Sequence, residues 1–429
     1  MPAMSEARTS GNDDVLPWRI ELEPADVRER LRAARRSGRP RYLWPDVEPA
    51  AWRASLHEIE RVTRAVLAGG SAMLETGNPR ALGIAAFTSG TGPLLGAWIE
   101  SGVIEAAGMV RTLLLLHLHH GRERARIRHE ILGRALAALR DARIEPTVLK
   151  SAATADLHFA EPGLRPGVDI DLVVAPGQFD SAEGALDRSG HRIAGRQISP
   201  RKSDWRIPGI EPWPRSLELL HSGGQYGIDL HDSLTREFFG IRRVTIAGDT
   251  AAVDVAGATI RVLAQPDRLA FHALHASEGF DNLTLIRLIE IVYMARADGG
   301  RSFDWDQLIG LLRLAGGLRF AWPAFALADR LSPGTVPDHA MRALENAATP
   351  ALRSVVHGLR PSDAQRLDVL TLRERFMWCH GPVEHARRFA HMLFPAPAGR
   401  SPIRLVSLYA DRLRRIVRGR IEMSRPPDE

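Results

Sequence analysis

The stretch TVLKSAATADLHFAEPGLRPGVDIDLVV, Thr147 to Val174, decides how the rest of the chain is read. Thr147, Val148 and Leu149 form a short apolar run that ends at Lys150. Ser151 to Ala160, rich in Ala and Leu, suits a helix. Glu161 to Gly167 carries two Pro and two Gly and reads as a loop. From Val168 to Val174 the pattern alternates. Val168, Ile170, Leu172 and Val174 fall on one face and Asp169 and Asp171 on the other, the period of a strand with one buried face. The same alternation brings the two carboxylates to one side, roughly 7 Å apart along the backbone. Carboxylates that close repel unless a cation lies between them, and Mg²⁺ favours such hard oxygen ligands together with substrate phosphates.

Outward from this stretch, Tyr226 to Leu230 (YGIDL) ends a second strand-like run and presents Asp229, a third acid for the same cluster. His231 points to the same side as Asp229. It can tune a metal ligand, bind substrate, or be a hydrogen-bonded core histidine. Lys150 is either a solvated strand end or a phosphate contact, since an ammonium neutralises phosphate without rigid geometry. Ser151 opens a helix and can offer its hydroxyl and N–H to a phosphate, or simply cap the helix. Arg165 contacts phosphate or an acceptor, or only orders its loop. His272 and His275 share a helix face at i, i+3, a spacing that fits packing or a nucleotide contact; zinc would want further ligands nearby.

An Asp-x-Asp strand followed by an apolar-Asp-apolar strand resembles the metal site of the polymerase-beta-like nucleotidyltransferases. More closely, the chain resembles a broad, largely uncharacterised bacterial nucleotidyltransferase family marked by an LKG-type segment, then R-x-x-x-D-I-D-L-x-V, then D-L-H. Here these read Leu149-Lys150-Ser151, Arg165 to Val174, and Asp229-Leu230-His231. Phe271 to His275 and Ser302 to Leu308 resemble its helical part, and the likeness runs from Arg111 to the end of the chain. Two positions depart: Ser151 stands where the family has Gly, and Glu290 where it has an acid of the Asp type.

The resemblance implies an α+β fold, with a small mixed-sheet nucleotidyltransferase core flanked by N-terminal and C-terminal helical regions. It implies Mg²⁺ or Mn²⁺ held by Asp169, Asp171 and Asp229, which are also the catalytic acids. It implies an NTP, with ATP the foremost candidate, steadied by Lys150, Ser151 and Arg165, and pyrophosphate as the product that leaves. His231, His272 and His275 are the expected substrate contacts. The acceptor is unspecified; a natural-product peptide or another biosynthetic intermediate is the suggestion that comes with the family.

The 429 residues suffice for two to three domains, and 45% hydrophobic with 25% charged content is that of a soluble globular protein. The net charge of +6 is modest for this length. Basic residues are almost all Arg: Lys occurs only at Lys150 and Lys202, so a Lys beside the acid strand stands out. A lone Cys379 excludes a disulfide framework and fits a reducing, cytoplasmic setting. Met1 to Leu16 is polar, lacks the apolar core of a signal peptide and is expected to be disordered. No apolar run approaches a membrane span; Leu113 to Leu118 is short and contains His117.

Periodicity divides the rest. Residues 17–143 read as helical, with Pro24–Arg36, Pro49–Leu67, short buried helices within Ala81–Gly108, and one or two long helices across Met109–Arg143. Residues 144–263 read as the α/β core. Its helix is Phe179–Ser189, capped by Gly190, and its strands are His191–Ile198, Trp205–Ile207, Ser216–His221 and Gln225–His231. Val244–Ile246, Val253–Val255 and Thr259–Leu263 look like a meander. Residues 264–394 return to helices at Pro266–Ala276, Thr284–Ala297, Trp305–Ala315, Leu318–Leu331, Pro337–Asn346 and Leu367–Trp378. Pro395, Pro397 and Gly399 precede a basic tail, 395–429, with a helical pattern over Ile403–Ile421.

Two other classes compete. A catalytically degenerate nucleotide-binding or scaffold protein draws support from Ser151 alone. An RNA-modifying, toxin-like nucleotidyltransferase draws on the Arg-rich termini, although no RRM, KH or zinc-finger pattern occurs, nor any GxxxxGK[ST] loop. His117, His119 and His120 lack the Cys or carboxylate neighbours that a metal centre needs. Nothing in the pattern specifies an oligomeric state.

Overall fold

The computed structural model describes residues 23–393, apart from 38, 198–199, 209–225, 256, 279, 281–282, 297–302 and 367–369. The expected disordered start, the strand at Ser216–His221, the break at Pro395 and the basic tail lie outside the described residues.

The chain enters through α1 (Pro24–Ser37) and α2 (Pro49–Leu67). Pro at the first turn, where the missing N–H has no partner to lose, opens α2 and also α3 (Pro79–Ser89). Gly90, in the left-handed region at φ +72°, ends α3 and turns the chain by 112° into α4 (Gly92–Glu100). The short strands β1 (Ala72–Met73) and β2 (Ile104–Glu105) pair in parallel. One continuous helix, α5 (Gly108–Asp141), follows, where periodicity allowed one helix or two. It lies so close to α4 that a Cβ on Gly96 would stand 2.3 Å from the Leu114 carbonyl oxygen.

The strands come next: β3 (Thr147–Leu149), β4 (Asp169–Val173), β5 (Arg192–Gln197), β6 (Lys202–Arg206), β7 (Gly227–His231), β8 (Thr235–Phe238), β9 (Arg242–Thr245), β10 (Thr250–Val255) and β11 (Ala258–Leu263). Seven form one mixed sheet in the order β10-β11-β3-β4-β7-β6-β5. Within it β4 runs parallel to β7 and antiparallel to β3. Helices α6 (Ser151–His158) and α7 (Phe179–Arg188) are carried between these strands, and Gly190, at φ +92°, follows the end of α7 as its cap. One sheet face, with Val148, Ile170, Leu172, Ile228 and Leu230, packs on α7 and the second half of α5. The other face carries the acids.

Three expectations need correction here. Val168 precedes β4 and is 67% exposed instead of buried, whereas Asp171 is 3% exposed, because β4 is covered on both faces. The strand expected at Trp205–Ile207 begins three residues earlier, at Lys202. The meander does not form: β9 pairs with β8 in a separate hairpin, while β10 and β11 join the main sheet, β11 running parallel to β3.

Helices α8 (Asp267–Glu278), α9 (Leu285–Arg296), α10 (Trp305–Ala315), α11 (Leu318–Leu331) and α12 (Asp338–Asn346) close on the expected stretches. For α10 the cause is local: the Asp304 side chain accepts from Gln307 N at 2.8 Å, and Gly316 ends the helix at φ +68°. The helices α13 (Pro350–His357) and α15 (Gly381–Leu393) were not anticipated. Of the helix expected at Leu367–Trp378, the described residues keep α14 (Leu372–Phe376). Residues of α2 such as Trp52, Leu56 and Ile59 share one apolar core with Phe320 and Phe325 of α11, and Ser362 N donates to the buried Glu60 Oε2 at 3.0 Å. Helix dominates over strand, 60% to 15%, in an α+β fold with helical flanks. Among the described residues no single helix is long and apolar enough to cross a membrane.

Candidate active site

Register assembles the acids. Because β4 and β7 are parallel and in step, Asp171 lies beside Asp229, and β6 places Asp204 beside Asp229 on the other side. Three carboxylates thus stand in one row across three adjacent strands. The row on one side holds Asp169 opposite Gly227, and the row on the other holds Val173, His231 and Lys202. Gly227 has a specific use: a Cβ there would overlap Arg206 Nη1, and that guanidinium reaches Asp169 Oδ1 at 3.5 Å.

Both lysines of the chain rest on this row. Lys150 Nζ donates to Asp171 Oδ1 at 2.6 Å, and Lys202 Nζ lies 2.7 Å from Asp229 Oδ2 and 3.0 Å from Asp204 Oδ1. His231 Nε2 is 3.2 Å from Asp171 Oδ1. The carboxylates respond differently. Burial alone would raise Asp171, but the Lys150 ammonium and the His231 hydrogen bond outweigh it and hold the carboxyl well below the usual range. Asp169 is pushed up to about 6, chiefly by burial and then by the Asp229 charge. Asp229 is also raised, by burial first and by Asp171, against the pull of Lys202.

Lys150 sits at the turn from β3 into α6 with φ +50°, a region that costs a non-glycine residue roughly 1–2 kcal/mol. Its carbonyl accepts from Ala153 N, Thr154 N and Thr154 Oγ1, and its ammonium is held by Asp171, so both ends of the residue fix the turn. Ser151 follows as the first residue of α6. The loop before β4 leaves room for its hydroxyl: a Cβ on Gly167 would stand 2.5 Å from Ser151 Oγ. Ser151 is accommodated by the glycine across from it.

Arg165 is engaged elsewhere. Its Nε and Nη2 donate to Glu290 Oε2 at 3.0 and 2.8 Å, and its Nη1 donates to the Pro166 carbonyl. Glu290, on α9, also accepts from Thr154 Oγ1 of α6. Burial would raise this carboxyl; Arg165, His272 and Thr154 lower it to about 2. Arg165 thus ties the loop before β4 to α9. His272 lies behind it, 3.8 Å from Glu290 and buried, with its pKa lowered by burial to about 4. His275 Nδ1 is 2.6 Å from Arg236 Nη2, and burial drives it well below the ordinary histidine value. The structure thus brings Asp169, Asp171, Asp229, His231 and Lys150 together, sets Ser151 beside them, and places Arg165, His272 and His275 along the interface with α8 and α9.

A hard divalent cation fits the row. One ligand atom each of Asp171, Asp229 and His231 lies within 4.8 Å of the others. Neighbouring ligands of an octahedral Mg²⁺ are about 3 Å apart and opposite ones about 4.2 Å, so the three atoms would draw inward, and Lys150 and Lys202 would release Asp171 and Asp229, as an ion bound. Carboxylate oxygens suit Mg²⁺ or Mn²⁺, and an imidazole nitrogen suits Mn²⁺ better. A model of the family described as an uncharacterised nucleotidyltransferase matches residues 79–333.

The chain belongs to that family. The nucleotidyltransferase match runs from α3 to the end of α11 and includes the acid rows, both lysines and Glu290. It starts before Arg111, the residue from which the likeness was read in the sequence, and it stops short of the chain's end. No curated protein and no solved structure matches significantly. Around the nucleotidyltransferase acids, sequence reasoning missed Asp204, Arg206 and the role of Lys202. The scarcity of Lys was the available signal, since both copies reach the same row.

Proposed function

We propose that this protein transfers a nucleoside monophosphate from a nucleoside triphosphate to an acceptor hydroxyl in a reaction that depends on Mg²⁺ or Mn²⁺. The observation that carries the reading is the in-register pair Asp171 and Asp229, with Asp169 two residues before Asp171 on the same strand face. Asp169, Asp171 and Asp229 would hold the ion. A bound divalent ion polarises the α-phosphorus and stabilises charge on the leaving pyrophosphate. In this reading Lys150 orients phosphate oxygens from the strand end, and the Ser151 N–H and hydroxyl, at the start of α6, are the further donors to them. Asp229 would help hold a second ion or, in its place, accept the proton of the attacking hydroxyl. The segment 144–263 is the transfer core in this reading, and the helices on either side shape the acceptor pocket. ATP is the first donor to examine, and a peptide or other biosynthetic intermediate is the first acceptor class.

The test is incubation with each of the four triphosphates, α-labelled, with Mg²⁺ or Mn²⁺ and candidate acceptors. The expected result is acceptor labelling with stoichiometric pyrophosphate, abolished by EDTA. Nucleotide binding without pyrophosphate release from any donor would replace transfer with a binding role.

A further inference from the structure

Among the described residues, Arg287 is a cation near the acids that no side chain bonds. Arg287, in the first turns of α9, is half-buried, and among the described residues its guanidinium makes no hydrogen bond and no ion pair. Its neighbours are committed. Arg165 is held by Glu290, and Arg236 donates to Glu278 and contacts His275. Among the described residues here, Glu290 and Glu278 stand against three arginines, and both acids are bound to arginines other than Arg287. A charge withdrawn from water without a hydrogen-bonded partner is costly; burial lowers the Arg287 pKa to about 10, and repulsion from Arg165 and Arg236 is set against attraction from Glu290 and Glu278. Arg287 stands one turn before Glu290 on α9. Glu290 is bonded to Thr154 Oγ1, which lies 3.0 Å from the Lys150 carbonyl oxygen, and Lys150 Nζ is bonded to Asp171. The site thus has two poles: carboxylates on the sheet, and on α9 a guanidinium that no described residue bonds.

We infer that Arg287 binds the terminal phosphates of the triphosphate whose α-phosphate lies at the acid row. The inference rests on the transfer reading, and it goes further by assigning the polyphosphate end of the donor to a residue outside the sheet. A guanidinium makes charge-assisted, often bidentate bonds to phosphate, and the Arg165–Glu290 and Arg236–Glu278 pairs hold the walls without consuming Arg287.

Calorimetry on the full chain tests it, using α,β-methylene-ATP, AMP and inorganic tripolyphosphate, each with Mg²⁺. Arg287→Ala is expected to weaken the triphosphate analogue and tripolyphosphate about 10- to 100-fold and to change AMP affinity less than about twofold. Arg287→Lys should recover part of the loss. Melting of Arg287→Ala should match or exceed the wild type, because no native bond is removed. A drop of several degrees would mark Arg287 as structural and overturn the assignment, as would equal weakening of AMP and the triphosphate. Pyrophosphate release by the wild type with an unchanged KM in Arg287→Ala leaves transfer standing and removes Arg287 from it. If no triphosphate is bound or turned over, the transfer reading fails, and tripolyphosphate binding still decides Arg287.

Discussion

Lys150 combines a strained backbone with a buried ion pair, and each has its own signature. Removing one member of a buried pair typically costs about 3–5 kcal/mol, since the other is left charged without its partner. Lys150→Ala should therefore destabilise the metal-free protein by about 3 kcal/mol, and Mg²⁺ should stabilise this variant more than the wild type, because a divalent ion satisfies Asp171 in place of the ammonium. Denaturant titrations with EDTA and with Mg²⁺ check this; equal Mg²⁺ responses in the two proteins would detach Asp171 from cation binding. Asp171→Asn, which keeps the size of the side chain but leaves the Lys150 ammonium without its carboxylate, is expected to lose about 3 kcal/mol of stability and at least about 100-fold in turnover. Near-normal rates at saturating Mg²⁺ would exclude Asp171 as a ligand. The acid pair of β4 was legible because alternation is strong there. Lys202 and Asp204 were not, since the run Arg201-Lys-Ser-Asp carries no apolar alternation and takes its strand form from pairing with β7.

Among elements, α9 is fastened to α6 and to the loop before β4 through one carboxylate. Glu290 is buried, with Thr154 and Arg165 as its bonded partners. Glu290→Ala is expected to cost about 3–5 kcal/mol by leaving Arg165 unpaired, and Glu290→Asp, which keeps the charge, should cost less. If the Ala variant unfolds within about 1 kcal/mol of the wild type, this carboxylate does not carry the junction. Glu290 was visible in the sequence only as a longer residue where an Asp-type acid was expected. Its partners lie 125 and 136 residues away, and no local pattern encodes such a distance. The caps of α10 are the opposite case, since Asp304 and Gly316 mark its ends locally.

For the whole molecule, buried neutral histidines set the response to acid. Burial holds His117 at about 3 and both His158 and His272 at about 4. Their unfolded value is near 6.5, so between about pH 6.5 and 4 the unfolded chain binds protons that the folded chain does not. Stability is complete above that window and falls with pH, by up to about 1.4 kcal/mol per pH unit for each histidine. Asp169, raised to about 6, acts the other way and offsets about one of them below that pH. In metal-free buffer the protein should be less stable at pH 5 than at pH 7 by on the order of 3 kcal/mol. Identical unfolding midpoints and slopes at the two pH values would show that these rings reach solvent. The shared core of the terminal helical stretches is likewise a whole-molecule property: periodicity showed each helix its apolar face, but not which distant face it meets.

Because the only two ε-amines of the sequence rest on one row of acids, amine chemistry becomes a probe of that row. Reductive methylation with ¹³C-formaldehyde keeps the positive charge and places an NMR-visible group on Lys150 and on Lys202. A divalent ion arriving at Asp171 and Asp229 displaces both ammonium groups, so two resonances in an otherwise blank lysine spectrum should move together. In most proteins dozens of surface lysines would bury that signal; here the spectrum itself reads out occupancy of the acid row.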